Sequence, residues 1–222
     1  MSNTAEECRE IVLAAEKTGH TPAVCNVLRY TSFYMTLKNP IDRGEIGEVT
    51  TINQIENVGY WHKAHSFVRD NRRTFREISP MILQKSYHDM DIILWLKGKD
   101  CKRVIALILC GTLMWKMRRK VLHSGVSMDA PHATTCPYYA PALYLDMNCT
   151  VWSVGVITTN LSEGGRRKAL EEGPYGRRVY HCDNDVVDRQ VVNLEFESGA
   201  VAIFTMTGLS ADFSRTHRES WL

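Results

Sequence analysis

The chain has 222 residues, is 44% apolar and 23% charged, and so has the composition of a protein with a buried core rather than of a disordered tail. Lys and Arg number 27 against 25 Asp and Glu, and a formal charge of +2 argues against a dedicated nucleic-acid or membrane-surface protein. The longest mostly apolar run, Val104–Trp115, is too short for a bilayer, which takes about 20 residues. The seven cysteines form no tight framework and suit a reducing cytoplasm.

In chain order, residues 4–18 read as a helix. Thr4 can cap it with Glu7 three residues on, Cys8, Ile11, Val12 and Ala15 share a face, and Gly19 ends it. Residues 21–28 are a nearly continuous apolar run and read as a short buried strand. A second helix follows from Ser32 to about Arg43, with Pro40 expected to kink or shorten it. Val49–Glu56 is strand-like, 79–97 is a helix with Pro80 in its first turn, and 102–109 is another strand. Residues 111–130 show neither period and are expected to be poorly packed. At 190–207 the alternation of Val192, Leu194 and Phe196, the turn Glu197-Ser198-Gly199 and the return at Val201, Ile203 and Thr205 predict a hairpin. The sum is an α/β fragment over 1–48, then an α+β domain over 49–222 with an open, mainly antiparallel sheet.

Five segments together point further: 43–49 (Arg-Gly-Glu-Ile-Gly-Glu-Val), 56–62 (Glu-Asn-Val-Gly-Tyr-Trp-His), Ser79-Pro80-Met81-Ile82-Leu83, His88-Asp89-Met90-Asp91 and Gly173-Pro174-Tyr175-Gly176-Arg177. In this order and spacing the chain resembles the Gfo/Idh/MocA oxidoreductases, of the glucose–fructose oxidoreductase and inositol dehydrogenase type. The resemblance covers residues 2–104 and 131–215, and the nearest branch also has a segment like Cys136–Pro141. It implies a nucleotide-binding Rossmann domain, of which 1–48 would be the end, and a C-terminal domain that binds substrate and mediates oligomerisation. It also implies NAD or NADP as cofactor and a sugar or polyol as the small-molecule partner.

The chain departs from the family plan in three places. It contains no Gly-x-Gly-x-x-Gly loop to hold a pyrophosphate. The family's Glu-Lys-Pro segment would end just before Met1, so Met1 is expected to be an internal start. The resemblance lapses over 111–130, where a shifted reading of suitable codons for 124–131 yields Arg-Cys-Leu-Asp-Gly-Cys-Pro, as the family has; a pair of compensating frameshifts is the expectation. From Thr216 to Leu222 the chain is expected to leave the family pattern. The expected activity is therefore that of a truncated NAD(P)-dependent sugar or polyol oxidoreductase, inactive alone and not binding the dinucleotide by itself. The alternative is a non-enzymatic module with a vestigial sugar pocket.

The resemblance assigns His88 to the catalytic pocket, since an imidazole can take and return a hydroxyl proton near neutral pH. Its usual Asp partner four residues earlier is Gln84 here, and Lys85 is the candidate replacement. Tyr60, Trp61, His65, Arg69 and Asn71 supply aromatic faces and hydrogen-bond donors suited to a polyol. Asn26 and Arg29 fall where the family meets the nicotinamide. Asp89 and Asp91 point to different faces of a helix, so at least one is expected to be structural. The His62-x-x-His65 pair is a weak metal signal and no metal is expected. The basic run 116–120 falls in the suspected frameshift, so no nucleic-acid or membrane partner is expected. The sheet at 190–207 is expected to support a homo-oligomer through its uncovered face.

Overall fold

A computed structural model describes residues 2–76, 78–110, 135–150, 152–211 and 213–221. Along the chain run α1 (Ala5–Thr18), α2 (Ser32–Asp42), β1 (Val49–Gly59), α3 (Tyr60–Ala64), α4 (Tyr87–Lys97), β2 (Cys101–Leu109), α5 (Ala140–Tyr144), α6 (Glu163–Glu172), β3 (Arg189–Phe196), β4 (Val201–Ser210) and β5 (Ser214–Trp221). The expectation for 111–130 lies outside the described residues.

The five strands form one open sheet in the order β2-β3-β4-β1-β5. The turn between β3 and β4 closes on Gly199 at φ +82°, a conformation that favours glycine. Val192 then sits opposite Phe204 and Leu194 opposite Ala202. β2 joins β3 antiparallel and β5 joins β1 antiparallel, while β1 and β4 run parallel, with Ile52 beside Ala202. The sheet is therefore mixed but mainly antiparallel, as the alternation predicts.

One face of this sheet is covered. Ile52, Val58, Val192, Phe196, Phe204 and Met206 point into a core closed by Ile92, Ile93 and Leu96 of α4 and by Tyr34 of α2. Such residues contribute about 1.5–3 kcal/mol each on burial. The other face carries exposed Ile55, Val201 and Ile203. A smaller apolar cluster, Ala140, Tyr144, Val154, Leu170 and Tyr175, holds α5 and α6 together. Among the described residues no helix is long and apolar enough to cross a membrane.

The capping box of α1 forms as read, with Thr4 Oγ1 accepting from the Glu7 N–H and Glu7 accepting from the Thr4 N–H. Its apolar face does not pack: Ile11, Val12 and Leu13 are exposed. Residues 21–26 are not the expected strand but irregular chain, exposed as far as residue 25, leading into a single 3₁₀ turn, Val27–Tyr30. A parallel strand exists only by pairing, and this segment has no strand beside it among the described residues. Pro40 lies within α2, two residues before its end, so its missing N–H disturbs only the last turn. Thr216–Trp221 does not leave the pattern either. It continues β5, pairing Thr216 with Ile55 and His217 with Gln54. The strand was hidden because its inward positions are Arg215, His217 and Glu219 rather than apolar residues.

Candidate functional site

β1 delivers the chain to the site. Its inward positions run Ile52, Gln54, Glu56 and Val58, so the apolar face turns polar halfway along. The chain then enters α3, which continues into a wide turn over His65–Arg69, where the Asp70 N–H reaches the His65 carbonyl at 3.2 Å. Wide turns of this kind recur at functional sites. This one buries the whole segment from Lys63 to Arg69.

A cleft of about 360 Å³ opens beside it, lined among others by Tyr60, Trp61, Arg69, Tyr138 and Trp152. Tyr60 and Tyr138 meet edge to face, as do Trp61 and Trp152. Arg69 is 1% exposed and holds the cleft's far wall: its Nε donates to the Arg177 carbonyl at 2.9 Å and its Nη2 to the Tyr138 carbonyl at 2.6 Å. Arg177 returns a bond to the Arg69 carbonyl at 2.7 Å. Burial holds the Arg69 pKa below its usual value. His65 lies behind the cleft, stacked on Tyr175 and 2.8 Å through Nδ1 from the Tyr144 hydroxyl. Burial lowers its pKa to about 4, and burial raises that of the Tyr144 phenol to about 12.

The second half of the site is a buried ionic cluster between β1, β5 and α4. Arg215 donates to Asp89 at 3.0 Å and also pairs with Glu56; Lys85 lies 3.3 Å from Glu56. Gln54 donates to both Asp89 and the Tyr34 hydroxyl at 2.7 Å, and its carbonyl is 2.6 Å from His217 Nδ1. His217 reaches Glu219 through Nε2 at 2.8 Å. Desolvation, with Asp89 close by, raises the Glu56 pKa to about 7 despite Arg215 and Lys85. His88, next to Asp89 on α4, feels the charges of the same cluster. Burial, Arg215 and Lys85 all lower its pKa, and its Nδ1 has no hydrogen-bond partner among the described residues. The imidazole is therefore neutral at pH 7 and one of its nitrogens is unengaged.

His62 joins the two halves. Its ring stacks near Trp61 and meets Trp152 edge to face, with centroids 4.9 Å apart. On its other side it lies 5.7 Å from Phe213, over which the Lys85 ammonium sits at 4.9 Å. Burial and then the nearby Lys85 lower the His62 pKa to about 3, so it presents an uncharged ring.

Of the residues the sequence singles out, the structure brings Tyr60, Trp61 and Arg69 together at the cleft, and Lys85 and His88 together at the cluster. His65 is packed behind the first group. Asn71 is exposed, and its backbone N–H is held by Asp70. Asn26 and Arg29 both grip Asp91 of α4, Asn26 Nδ2 at 2.7 Å and Arg29 Nε at 2.8 Å. Asp89 and Asp91 are both structural anchors, one for the sheet and one for the chain before α2. His62 lies within the Tyr60–His65 segment that the sequence singles out, whereas Glu56, Tyr138, Trp152 and Arg215 carry no assigned role there. Glu56 did carry a signal, a carboxylate at an inward position of an alternating strand.

No family model matches the chain. YteT of Bacillus subtilis, which bears the name oxidoreductase, is 29% identical over 107 residues, 48% of this chain and 24% of its own length. The structure of an NAD binding oxidoreductase from Klebsiella pneumoniae superposes with a TM-score of 0.60 at 13% identity, over 99% of this chain and 43% of the other. That of a scyllo-inositol dehydrogenase from Lactobacillus casei, solved with NAD(H) and scyllo-inositol bound, gives 0.51 at 16% identity, over 94% of this chain and 42% of the other. The fold is that of the C-terminal portion of Gfo/Idh/MocA-type dehydrogenases. The chain spans less than half the length of these relatives. In the Gfo/Idh/MocA frame, the open five-stranded sheet is the platform, and the cleft and cluster lie where β1 runs out into α3.

Proposed function

We propose that this chain supplies the sugar- or polyol-binding side of an NAD(P)-linked oxidoreductase site. The observation that carries the reading is the position of His62, an uncharged ring shared between an aromatic cleft and a buried acid–base cluster. Aromatic faces take the C–H surfaces of a sugar ring while polar neighbours take its hydroxyls. Trp61, Trp152, Tyr60 and Tyr138 provide the faces. Lys85 and His88 are the proton-handling pair: the neutral His88 imidazole accepts a hydroxyl proton, and the Glu56–Arg215–Asp89 network fixes the charges around it. A solved relative of the same fold was crystallised with scyllo-inositol, which supports a ligand of this class.

The residues described do not fit the dinucleotide. A pyrophosphate needs backbone N–H groups at a helix N-terminus, but at α1 the Asn3, Thr4 and Glu7 N–H groups are already taken by Glu7 and Thr4 side chains. Asn26 and Arg29 are committed to Asp91, so we assign them to positioning the chain before α2 against α4. The described residues therefore offer the sugar side of such a site rather than its dinucleotide side. The uncovered sheet face, with Ile55, Val201 and Ile203 exposed, is where a second copy packs.

Calorimetric titration tests both parts. Saturable binding of a polyol such as scyllo-inositol is expected, with loss of about tenfold in affinity in Trp152→Ala, and no heat on adding NAD or NADP. Micromolar dinucleotide binding would contradict the division of labour, and absence of any sugar or polyol binding would remove the reading. Sedimentation should show a dimer or larger species for the chain and a shift to monomer for Ile203→Lys; a monomer for both would mean the face is not a contact.

A further inference from the structure

The cleft's only fully buried charge among its lining residues is a cation without a counter-ion. Arg69 is 1% exposed and lines the cleft. Its bonds run to neutral groups, the Arg177 and Tyr138 carbonyls, with the Tyr144 hydroxyl as a neighbour. Among the described residues no carboxylate forms an ion pair with it. The nearest in sequence, Asp70, is engaged elsewhere: it pairs with Arg72 at 3.3 Å and accepts from the Asn71 N–H. Lys63 and Arg166 are likewise buried and held by carbonyls, but neither lines the cleft, and the other buried charges among the described residues are paired with opposite charges. Arg215 has two carboxylates, Lys97 has Glu48, and Glu56 has Lys85. A buried charge is normally paired because desolvation is costly, and carbonyl dipoles compensate only part of it. A cation left in that state beside a ligand cleft lowers the energy of an anion brought into the cleft, where the low dielectric strengthens the attraction.

Resting on the proposed sugar-binding reading, we infer that the cleft selects a sugar carrying an anionic group, a carboxylate or a phosphate, over a neutral one. The aromatic walls hold the ring and Arg69 supplies the positive field that a neutral polyol would leave unused. Arg69 acts here as a specificity-determining residue. Within the volume of about 360 Å³ a monosaccharide with one such group is accommodated.

The test compares three ligands on the intact chain, followed by the fluorescence of the cleft tryptophans: glucose, glucuronate and glucose 6-phosphate. Binding of at least one acidic sugar about tenfold more tightly than glucose is expected, since hydrogen bonds to charged groups are worth about that much or more. The acid that binds better identifies the anion. In 0.5 M salt the preference should shrink while glucose binding is unchanged. Equal or tighter binding of glucose would overturn the inference and leave the sugar-binding reading standing. No binding of any of the three would overturn both. Arg69→Gln should bring the three affinities together; because Arg69 also ties two loops, its near-ultraviolet circular dichroism is checked against the unmutated chain. A folded Arg69→Gln that keeps the full acid preference would equally overturn the inference.

Discussion

The same sheet face is built in two ways. On β3 and β4 the inward residues are Val192, Leu194, Phe196, Ala202, Phe204 and Met206. Across β1 to β5 they become Gln54, Glu56, Arg215, His217 and Glu219, met by Asp89 of α4 and by Lys85 from the turn before it. Both halves are buried, both use the period-two alternation of a strand, and both pack under the same helix layer. The apolar half gains from transfer out of water. The ionic half gives up hydration and recovers it through mutual pairing, which seldom yields net stability. Its retention at the end of the sheet that abuts the aromatic cleft fits a functional rather than a stabilising purpose.

The comparison can be broken from either side. Phe204→Ala in the apolar half should cost about 3–5 kcal/mol in urea denaturation, because a rigid cavity remains. Arg215→Met in the ionic half should cost about 3 kcal/mol, because Glu56 and Asp89 are left buried with less compensation. Adding Glu56→Gln to it should recover part of that loss, a coupling a double-mutant cycle reads directly. If the ionic half behaved like the apolar one, the second change would simply add.

The pH profile sharpens the contrast. Glu56 has a folded pKa raised from 4.5 to about 7, so its contribution to stability is complete below 4.5 and is lost as pH rises toward 7. His62 and His65 have folded pKa values lowered from 6.5 to about 3 and about 4, so their contribution is present above 6.5 and lost as pH falls. Between pH 4.5 and 6.5 these trends oppose, two histidines against one carboxyl. Glu56→Gln should therefore steepen the rise of stability with pH in that window. An unchanged slope in denaturant titrations at several pH values would mean Glu56 titrates normally. The smallest effect is expected outside both halves: Glu163→Ala breaks only an exposed pair with Arg167 and should cost less than about 0.5 kcal/mol.

The apolar half was legible in the sequence and the ionic half was not. Alternating Val192, Leu194 and Phe196 with a glycine turn can hardly be anything but a hairpin, and it forms where read. β5 escaped because alternation of Arg215, His217 and Glu219 looks like solvent-facing chain until a partner is known. The bonds of the cluster span 35, 126 and 159 positions, from Gln54 to Asp89, Asp89 to Arg215 and Glu56 to Arg215, beyond any local pattern. Residues 21–26 failed in the opposite direction: a continuous apolar run marks a strand only if neighbouring strands exist to pair with it. At the site, Tyr60 and Trp61 of the Tyr60-Trp61-His62 motif line one wall of the cleft. The opposite wall, Tyr138 and Trp152, comes from a segment that folds over it from far along the chain.

On the proposed function, the aromatic cleft beside this ionic cluster holds a sugar-like ring. Saturation-transfer NMR on the intact chain with glucuronate, glucose and scyllo-inositol tests it most directly. Magnetisation transfer to the ring C–H protons of at least one of them is expected, abolished in Trp152→Ala and retained in Ile203→Lys on the far face of the sheet. No transfer to any of the three, or transfer undiminished in Trp152→Ala, would contradict it.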